Sequence, residues 1–358
     1  MLETLNKYFE DGLVTKQVHP TLPLTIWNYT PKTQYGELYN MYKLWDDITL
    51  QCRGLVTDNE GNVVARPFKK FFNMEEKQHR PTSDFEVFEK MDGSLGILFN
   101  YGNEWVFATR GSFTSEQSIK GFEMLKTYEY NKLHKDYTYL FEIIYEENRI
   151  VCQYDFEDLV LLGIIETKSG YEVNLYDDGQ DMRFKNLISN IGFKVVHRFD
   201  KFKDYQYLKQ AIPDNKEGYV VKFSNGNRMK IKGEEYLRLH KIMTNLSTTS
   251  VWEVLSSGGK MEEYLENVPD EFYNKIKEYE KTLKYAYYQV SEHCGKAHDY
   301  FRYGKYNDVD PEPTKKEFAE HVMKHGHPPY RSIMFAMWDK KPYDQLIWKL
   351  LKPKFMKL

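Results

Sequence analysis

Lys90 opens the pentapeptide Lys90-Met91-Asp92-Gly93-Ser94, where a strand runs into a tight turn and presents a single amine. Such an amine can attack phosphorus, but a surface lysine with a pKa of about 10.4 is almost wholly protonated at neutral pH. The chemistry therefore asks for burial or nearby cations to lower that value. KxDG is a short pattern and Asp-Gly also makes ordinary hairpins, so its weight depends on its companions. In Arg228-Met229-Lys230-Ile231-Lys232 alternate side chains share a face, which directs Lys230 and Lys232 one way and Met229 and Ile231 the other. Two such cations would neutralise a triphosphate and disfavour protonation of a lysine beside them, although a solvated sheet face alternates in the same way. Glu217 stands at the mouth of the apolar run Gly218-Tyr219-Val220-Val221, a position suited to an oxygen-liganded cation such as Mg²⁺ or to a simple strand-end acid. Glu142 lies inside Tyr139-Leu140-Phe141-Glu142-Ile143-Ile144-Tyr145, where an unpaired carboxylate is costly, so it requires a partner: a ribose hydroxyl, a lysine or a metal. Arg53 and Gly54 in Gln51-Cys52-Arg53-Gly54, Lys70 in Lys69-Lys70-Phe71-Phe72-Asn73, and Arg110 in Thr109-Arg110-Gly111-Ser112 add phosphate-binding residue types.

The elements that must hold these groups form an α+β pattern. From residue 50 to about 232, short β-rich runs are split by turn signals and predict antiparallel sheet. Leu55–Thr57 and Val63–Ala65 flank the loop Asp58–Asn62, and Leu95–Asn100 and Trp105–Thr109 flank Tyr101-Gly102-Asn103; both pairs read as hairpins. Thr114 or Ser115 can cap a helix in which Ile119, Phe122, Leu125 and Tyr128 recur at helical spacing, covering one sheet. Strands are expected again at Tyr139–Tyr145, Arg149–Gln153, Leu159–Ile165, Lys194–Arg198, Gly218–Phe223 and Arg228–Lys232. After about residue 240 the period becomes helical: Trp252, Val254 and Leu255, then Phe272, Ile276, Tyr279, Leu283 and Tyr287. Ser256–Gly259 and Asp308–Pro313 read as loops within that part. The expected division is an antiparallel-sheet domain over residues 1–243 and a helical domain over 244–358.

With 358 residues, 41% hydrophobic and 29% charged, the composition is that of a globular protein of two or three domains. The longest apolar run, Leu159–Ile165, suits a buried strand and is far short of a membrane span. Met1-Leu2-Glu3-Thr4 begins an acidic amphipathic segment rather than a secretory leader, and Cys52, Cys152 and Cys294 are scattered, so a cytoplasmic setting with reduced thiols is expected. A net charge of −3 argues against a uniformly basic surface but leaves room for a local basic groove. No GxxxxGK[ST], GxSxG or HExxH occurs, which removes the common P-loop, hydrolase and zinc-protease readings. His321, His325 and His327 have a spacing that can bind metal, but no cysteine or acidic pattern accompanies them.

The order CRG, KKFFN, KxDGS, TRGS, FEI, EGYVVKF, KIK resembles the covalent nucleotidyltransferase superfamily, and within it the RNA ligases of the type of bacteriophage T4 RNA ligase 1. RPFKKFFN, NRIV at 148–151, KIKGEEYLRLH and His293-Cys294-Gly295-Lys296 extend the likeness from about Cys52 to Lys296. The resemblance implies an adenylyltransferase domain in which Lys90 forms a lysine–AMP phosphoramidate, Glu142 binds the ribose of ATP and Glu217 holds the metal, Mg²⁺ or alternatively Mn²⁺. It implies phosphate contacts for Lys230 and Lys232, and contacts to the triphosphate tail for Arg53 and Lys70. Arg110 stands where the phage relative has the lysine of SKGS, which keeps the charge but changes its hydrogen-bond geometry. Tyr236 aligns with a family tyrosine, with packing an equal reading. The implied partner is RNA with 5′-phosphate and 3′-hydroxyl ends, such as a broken tRNA selected by the helical domain. A monomer acting in the cytoplasm, the host's if the gene is a phage's, completes the expectation. A DNA ligase, a GTP-dependent capping guanylyltransferase and an inactive nucleic-acid-binding protein are the competing readings.

Overall fold

The computed structural model describes residues 1–35, 45–76, 84–148, 150–176, 179–202, 204–243, 246–265, 268, 270–304 and 313–353. Two compact units divide the chain, Met1–His240 and Lys241–Leu358.

The first unit contains three sheets. Helix α1 (Leu2–Glu10) leads into sheet I, whose order is β1 (Val14–Val18), β2 (Leu24–Tyr29), β3 (Arg53–Asp58) and β4 (Val63–Ala65), with the short helix α2 (Pro31–Tyr35) following β2. The remaining strands are β5 (Phe72–Asn73), β6 (Phe85–Lys90), β7 (Ser94–Tyr101), β8 (Glu104–Thr109), β9 (Tyr137–Ile144), β10 (Asp158–Glu166), β11 (Lys194–Val195), β12 (Arg198–Phe199), β13 (Gly218–Phe223) and β14 (Arg228–Lys232). Sheet II runs β11-β10-β9-β7-β8 and sheet III runs β12-β6-β13-β14-β5. Both hairpins read from the sequence are present, the second closed by Gly102 and Asn103 with positive φ, as a two-residue turn between twisted strands demands. Two pairings are parallel, β10 with β11 and β14 with β5, against the antiparallel expectation.

Alternation assigns the faces. Leu98, Phe107, Phe141, Leu161 and Ile164 put one side of sheet II under α3 (Glu116–Leu125) and α4 (Met182–Ile191). Ile97, Phe99, Leu140 and Ile165 on its other side meet Leu24, Ile26 and Val56 of sheet I. Ser115 caps α3, accepting from the Ser118 amide at 3.2 Å. Ile119, expected on the covered face, is exposed; Ser118, Gly121 and Leu125 are buried instead. A methyl on Gly121 would lie 2.5 Å from the Phe107 ring, so the helix sits on the sheet through its smallest residues. In sheet III, Val87, Tyr219, Val221, Phe223, Met229 and Ile231 bury one face with Leu208. The opposite face carries Glu86, Phe88, Lys90, Val220, Lys222, Arg228, Lys230 and Lys232, and its Phe88 joins Met91, Ile144, Val160, Leu162 and Val196 in a cluster shared with sheet II.

The strand expected at Arg149–Gln153 is not formed: Arg149 lies outside the described residues and 150–153 run as irregular chain whose amides bond to a side chain rather than a neighbouring strand. The single strand expected at Lys194–Arg198 is two, because the segment passes from the edge of sheet II to the edge of sheet III. β1 and β2, ahead of the region read as sheet, were not expected.

Helix α5 (Glu234–Met243) runs across the division between the units at His240 and Lys241. The second unit is helical as expected: α6 (Thr248–Ser256), α7 (Met261–Leu265), the 30-residue α8 (Asp270–Asp299), α9 (Lys315–His325), α10 (Arg331–Trp338) and α11 (Asp344–Leu350). Ser247 and Thr314 supply reciprocal caps for α6 and α9, and Cys294, Phe301, Phe318, Val322, Ile333, Met334 and Ile347 form a core. Of the expected loop Asp308–Pro313, residues 308–312 lie outside the described residues. Among the described residues no helix is long and apolar enough to cross a membrane.

Candidate active site

Register brings the central residues together. Gly218 pairs with Lys90 on one side and with Lys232 on the other, so three strands set Lys90, Gly218 and Lys232 in one row across sheet III. At φ 152° a methyl group on Gly218 would lie 1.9 Å from the Ile231 carbonyl oxygen, so this crossing admits glycine alone. Glu217 is 3% exposed, and its carboxylate lies 2.7 Å from Lys90 Nζ and 3.6 Å from Lys232 Nζ. Lys230 and Lys232 share a face while Met229 and Ile231 are buried behind them, as the alternation predicts. Lys232 Nζ also lies 5.6 Å from the Tyr236 ring centroid.

Lys90 is the last residue of β6, and Met91-Asp92-Gly93 carries the chain into β7 of sheet II. Gly93 donates its N–H to Glu142 Oε1 at 3.0 Å, and a methyl on Gly93 would lie 2.7 Å from the Ile143 carbonyl oxygen. The turn is thus pressed against β9. Burial pushes the Glu142 carboxyl up to about 7; the Lys90 ammonium pulls it down, and Glu217 and Asp92 push it up. Its partners are an amide and the charge of Lys90, the second of the three kinds anticipated.

The charge state of Lys90 differs from the sequence expectation. Burial favours the neutral amine, yet Glu217, Glu142 and Asp92 outweigh it and hold the ammonium above the ordinary lysine range. The balance is decided by burial and the carboxylates of Glu217, Glu142 and Asp92 rather than by Lys230 and Lys232. In the free protein Lys90 is a clasped cation.

Asp92 does more than shape the turn. Its buried Oδ2 accepts from the Val151 and Cys152 amides at 2.8 and 2.7 Å, and its Oδ1 accepts from the Tyr236 hydroxyl at 2.9 Å. The Asp92 amide in turn donates to Tyr154 Oη at 2.9 Å. Ser94 Oγ donates to Asn148 Oδ1 at 3.0 Å, which draws the start of the NRIV segment to the same turn. Tyr236, on α5, therefore has a defined polar role as well as packing against Val151 and Cys152.

Lys70 and Arg110 gather around Tyr29 of β2, and Arg53 stands on the adjacent strand β3, paired with Asn28. Lys70 is buried, donates to Tyr29 Oη at 3.2 Å and lies 5.0 Å from that ring; the Arg110 guanidinium lies 5.9 Å from the same ring, and that of Arg53 lies 5.5 Å from Phe71. The KKFFN segment links the two groups, running from Lys70 to Asn73, which pairs with Lys230. Tyr29 was missed in the sequence, although Leu24-Thr25-Ile26-Trp27-Asn28-Tyr29 has the alternation of a strand. Tyr154 and the polar role of Asp92 had no readable signal, because their partners lie 62 and up to 144 residues away.

No set of three or more His, Cys, Asp or Glu among the described residues is placed to hold a metal, which removes the histidine reading. His321 packs on Phe301 and His325, and His327 on Tyr330. Glu217 and Glu142 remain as carboxylates of the kind Mg²⁺ takes one or two at a time, with phosphate oxygens completing its shell. The donor set fits such an ion only together with a phosphate ligand.

The profile of the RNA ligase family matches residues 51–277. The RNA ligase of Rhodothermus phage RM378 is 21% identical over 307 residues, covering 66% of this chain and 68% of that protein. A candidate RNA ligase of Thermovibrio ammonificans is 29% identical over 215 residues, covering 55% of this chain and 54% of that protein. A candidate bifunctional polynucleotide kinase/RNA ligase of Autographa californica nuclear polyhedrosis virus is 24% identical over 253 residues, covering 62% of this chain and 35% of that protein. The chain thus spans about a third to a half of the length of two of these curated relatives. Among solved structures an archaeal ATP-dependent RNA ligase matches with a TM-score of 0.44 at 15% identity, over 95% of this chain and 96% of that one. A likeness of that degree adds nothing to the family match.

Proposed function

Because the chain belongs to the RNA ligase family, we propose that it seals RNA ends by three displacements at phosphorus, using ATP. In the first, the Lys90 amine attacks the α-phosphorus of ATP; an N–P bond forms, the bond to the β-phosphate oxygen breaks, and pyrophosphate leaves. In the second, a 5′-phosphate oxygen of RNA displaces Lys90 and takes the AMP. In the third, a 3′-hydroxyl attacks that activated phosphate, AMP leaves and a phosphodiester remains. The observation that carries this reading is the clasp of Lys90 by Glu217 in a row with Lys232.

The residues divide the work. Lys232 and Lys230 line the face on which phosphates would lie, and Arg53, Lys70 and Arg110 form a second cationic group for the pyrophosphate end. Glu142 offers a carboxylate beside the turn for a ribose hydroxyl. Glu217 would hold a divalent cation, whose chemistry would be to offset charge on the leaving group and relieve Lys90 of its carboxylate neighbours. Burial around Lys90 already favours the neutral amine, so what keeps it protonated is the very set of anions that substrate binding re-partners.

The helical unit, on this reading, selects the RNA, with a broken tRNA as the candidate substrate. Tyr285, Tyr288, Tyr300 and Tyr303 are each more than half exposed, within 19 residues of chain, with Lys296 and Arg302 between them and Lys281 and Lys284 just ahead. Exposed rings among cations suit unpaired bases, which stack on aromatics at about 1–3 kcal/mol each.

Incubation with α-labelled ATP or GTP and Mg²⁺ tests the proposal. Label from ATP should be retained on the wild-type chain and lost in Lys90→Ala; preference for GTP would favour capping chemistry, and absence of label from both nucleotides would sink the reading. RNA and DNA acceptors with 5′-phosphates then separate the polynucleotides.

A further inference from the structure

The face of sheet III that carries Lys90 continues away from it. Two residues along each strand lies the row Phe88, Val220, Lys230, and two further the row Glu86, Lys222, Arg228, about 13 Å from the Lys90 row. The last row is ionic and is joined by two other elements. Arg198 of β12 reaches Glu86 at 3.0 Å; Lys222 lies 3.8 Å from Glu86 and 3.0 Å from Glu172; Arg228 binds both oxygens of Glu172. Glu172 belongs to the opposite wall, on the returning segment that meets Ile165 of β10 through an isolated β-bridge. Arg228 also stacks 4.1 Å from the ring of Phe68, which itself touches the site of Gly163 on β10.

This chain of alternating charges therefore crosses from sheet III to sheet II. Beyond it opens a cleft of about 1140 Å³ lined by all five of its members, so packing does not fill this end and ions bridge it. Arg228 and Lys222 hold the Glu172 carboxylate below the ordinary range despite its burial. A buried ion network is a poor source of net stability, since apolar residues of equal volume often serve as well or better. What it supplies is a fixed separation, because charge-assisted hydrogen bonds tolerate little change in length.

We propose that Glu172, with Arg228 and Lys222, is a positioning clamp that sets the gap between sheets II and III and thereby the fit of the nucleotide presented to Lys90. The inference rests on the ATP reading above and adds residues that touch neither the amine nor its carboxylates. A looser gap leaves the reacting groups intact and weakens the grip on the ligand, so the expected signature is a rise in KM without a matching loss of maximal rate.

The experiment is self-adenylylation of the full chain with α-labelled ATP across a range of ATP concentration, alongside thermal unfolding. Glu172→Gln should raise the KM for ATP about tenfold while the rate at saturation stays within about threefold of wild type. Because that substitution strands two cations, the paired variant Glu172→Leu with Arg228→Met is read in parallel: it should melt at or above the wild-type temperature and still show the raised KM. A folded paired variant with wild-type KM, or one whose saturated rate falls with KM unchanged, overturns the clamp. A wild-type chain that takes up no label overturns the ATP reading and the clamp with it, whereas normal wild-type labelling beside an unchanged variant KM overturns the clamp alone.

Discussion

The two ends of one sheet face, the Lys90–Gly218–Lys232 row and the Glu86–Lys222–Arg228 row, are built from the same three strands, and each sets cations beside a glutamate. At one end Glu217 sits 2.7 Å from Lys90; at the other Glu172 sits 3.0 Å from Lys222. What differs is what approaches from the opposite wall. At the near end a glycine turn, two carboxylates and α5 crowd a single amine whose anionic partners a substrate can replace. At the far end each charge meets a partner anchored in another element. Ion pairs of similar length can thus be a loaded nucleophile or a tie, and the surroundings decide which.

The comparison breaks most sharply at Glu217. Glu217→Gln should slow label transfer to Lys90 on the order of 10²-fold or more, as loss of an electrostatic group at a reacting centre does. The same change removes the largest anionic influence on Lys90, so its reaction with an amine-directed reagent should begin at lower pH; an unshifted profile would mean that Glu217 does not govern the amine. Gly218→Ala comes next, because it attacks the row itself: with an oxygen 1.9 Å from the new methyl, β14 must move, and a loss of roughly 3 kcal/mol in urea unfolding is expected. A wild-type midpoint would refute the idea that the near end depends on that crossing. Tyr236→Phe leaves Asp92 short of one donor and should cost about 1–2 kcal/mol of stability together with slower labelling, while the KM effect assigned to the far end stays absent.

The smallest effect is one of sign. Glu142 titrates near 7 in the folded chain, above its unfolded value of 4.5, so the folded state holds its proton more tightly. That contribution is present below the unfolded pKa and is lost as pH rises through 7. The stability of Glu142→Gln relative to wild type should therefore improve between pH 5 and pH 8, by about 1–2 kcal/mol, and a difference that shrank with pH would contradict the assignment.

Much of this was legible in the sequence where chemistry and period coincide. Lys230 and Lys232 on one face, the Ser115 cap and the run Gly218–Phe223 follow from local rules, and the structure agrees with them residue for residue. Lys90's charge state was misjudged because the nearest groups to its amine come from residues 142 and 217, and proximity across two sheets leaves no local trace. The face of α3 was misjudged at Ile119 because helical period alone does not reveal that Ser118 and Gly121 permit closer packing. Tyr29 was overlooked because its strand precedes the stretch where motifs draw the eye.

The passage of the chain between the sheets has a mechanical consequence. Residues 91–93 join β6 to β7, and Val196 and His197 alone join β11 to β12. Links this short at two points oppose sliding of the sheets past one another, and the pairing of Glu172 with Arg228 and Lys222 opposes their rotation about the line through those links, as a clasp holds the leaves of a book. Lengthening the 196–197 link by a few glycines would release that sliding without touching any side chain named in the site.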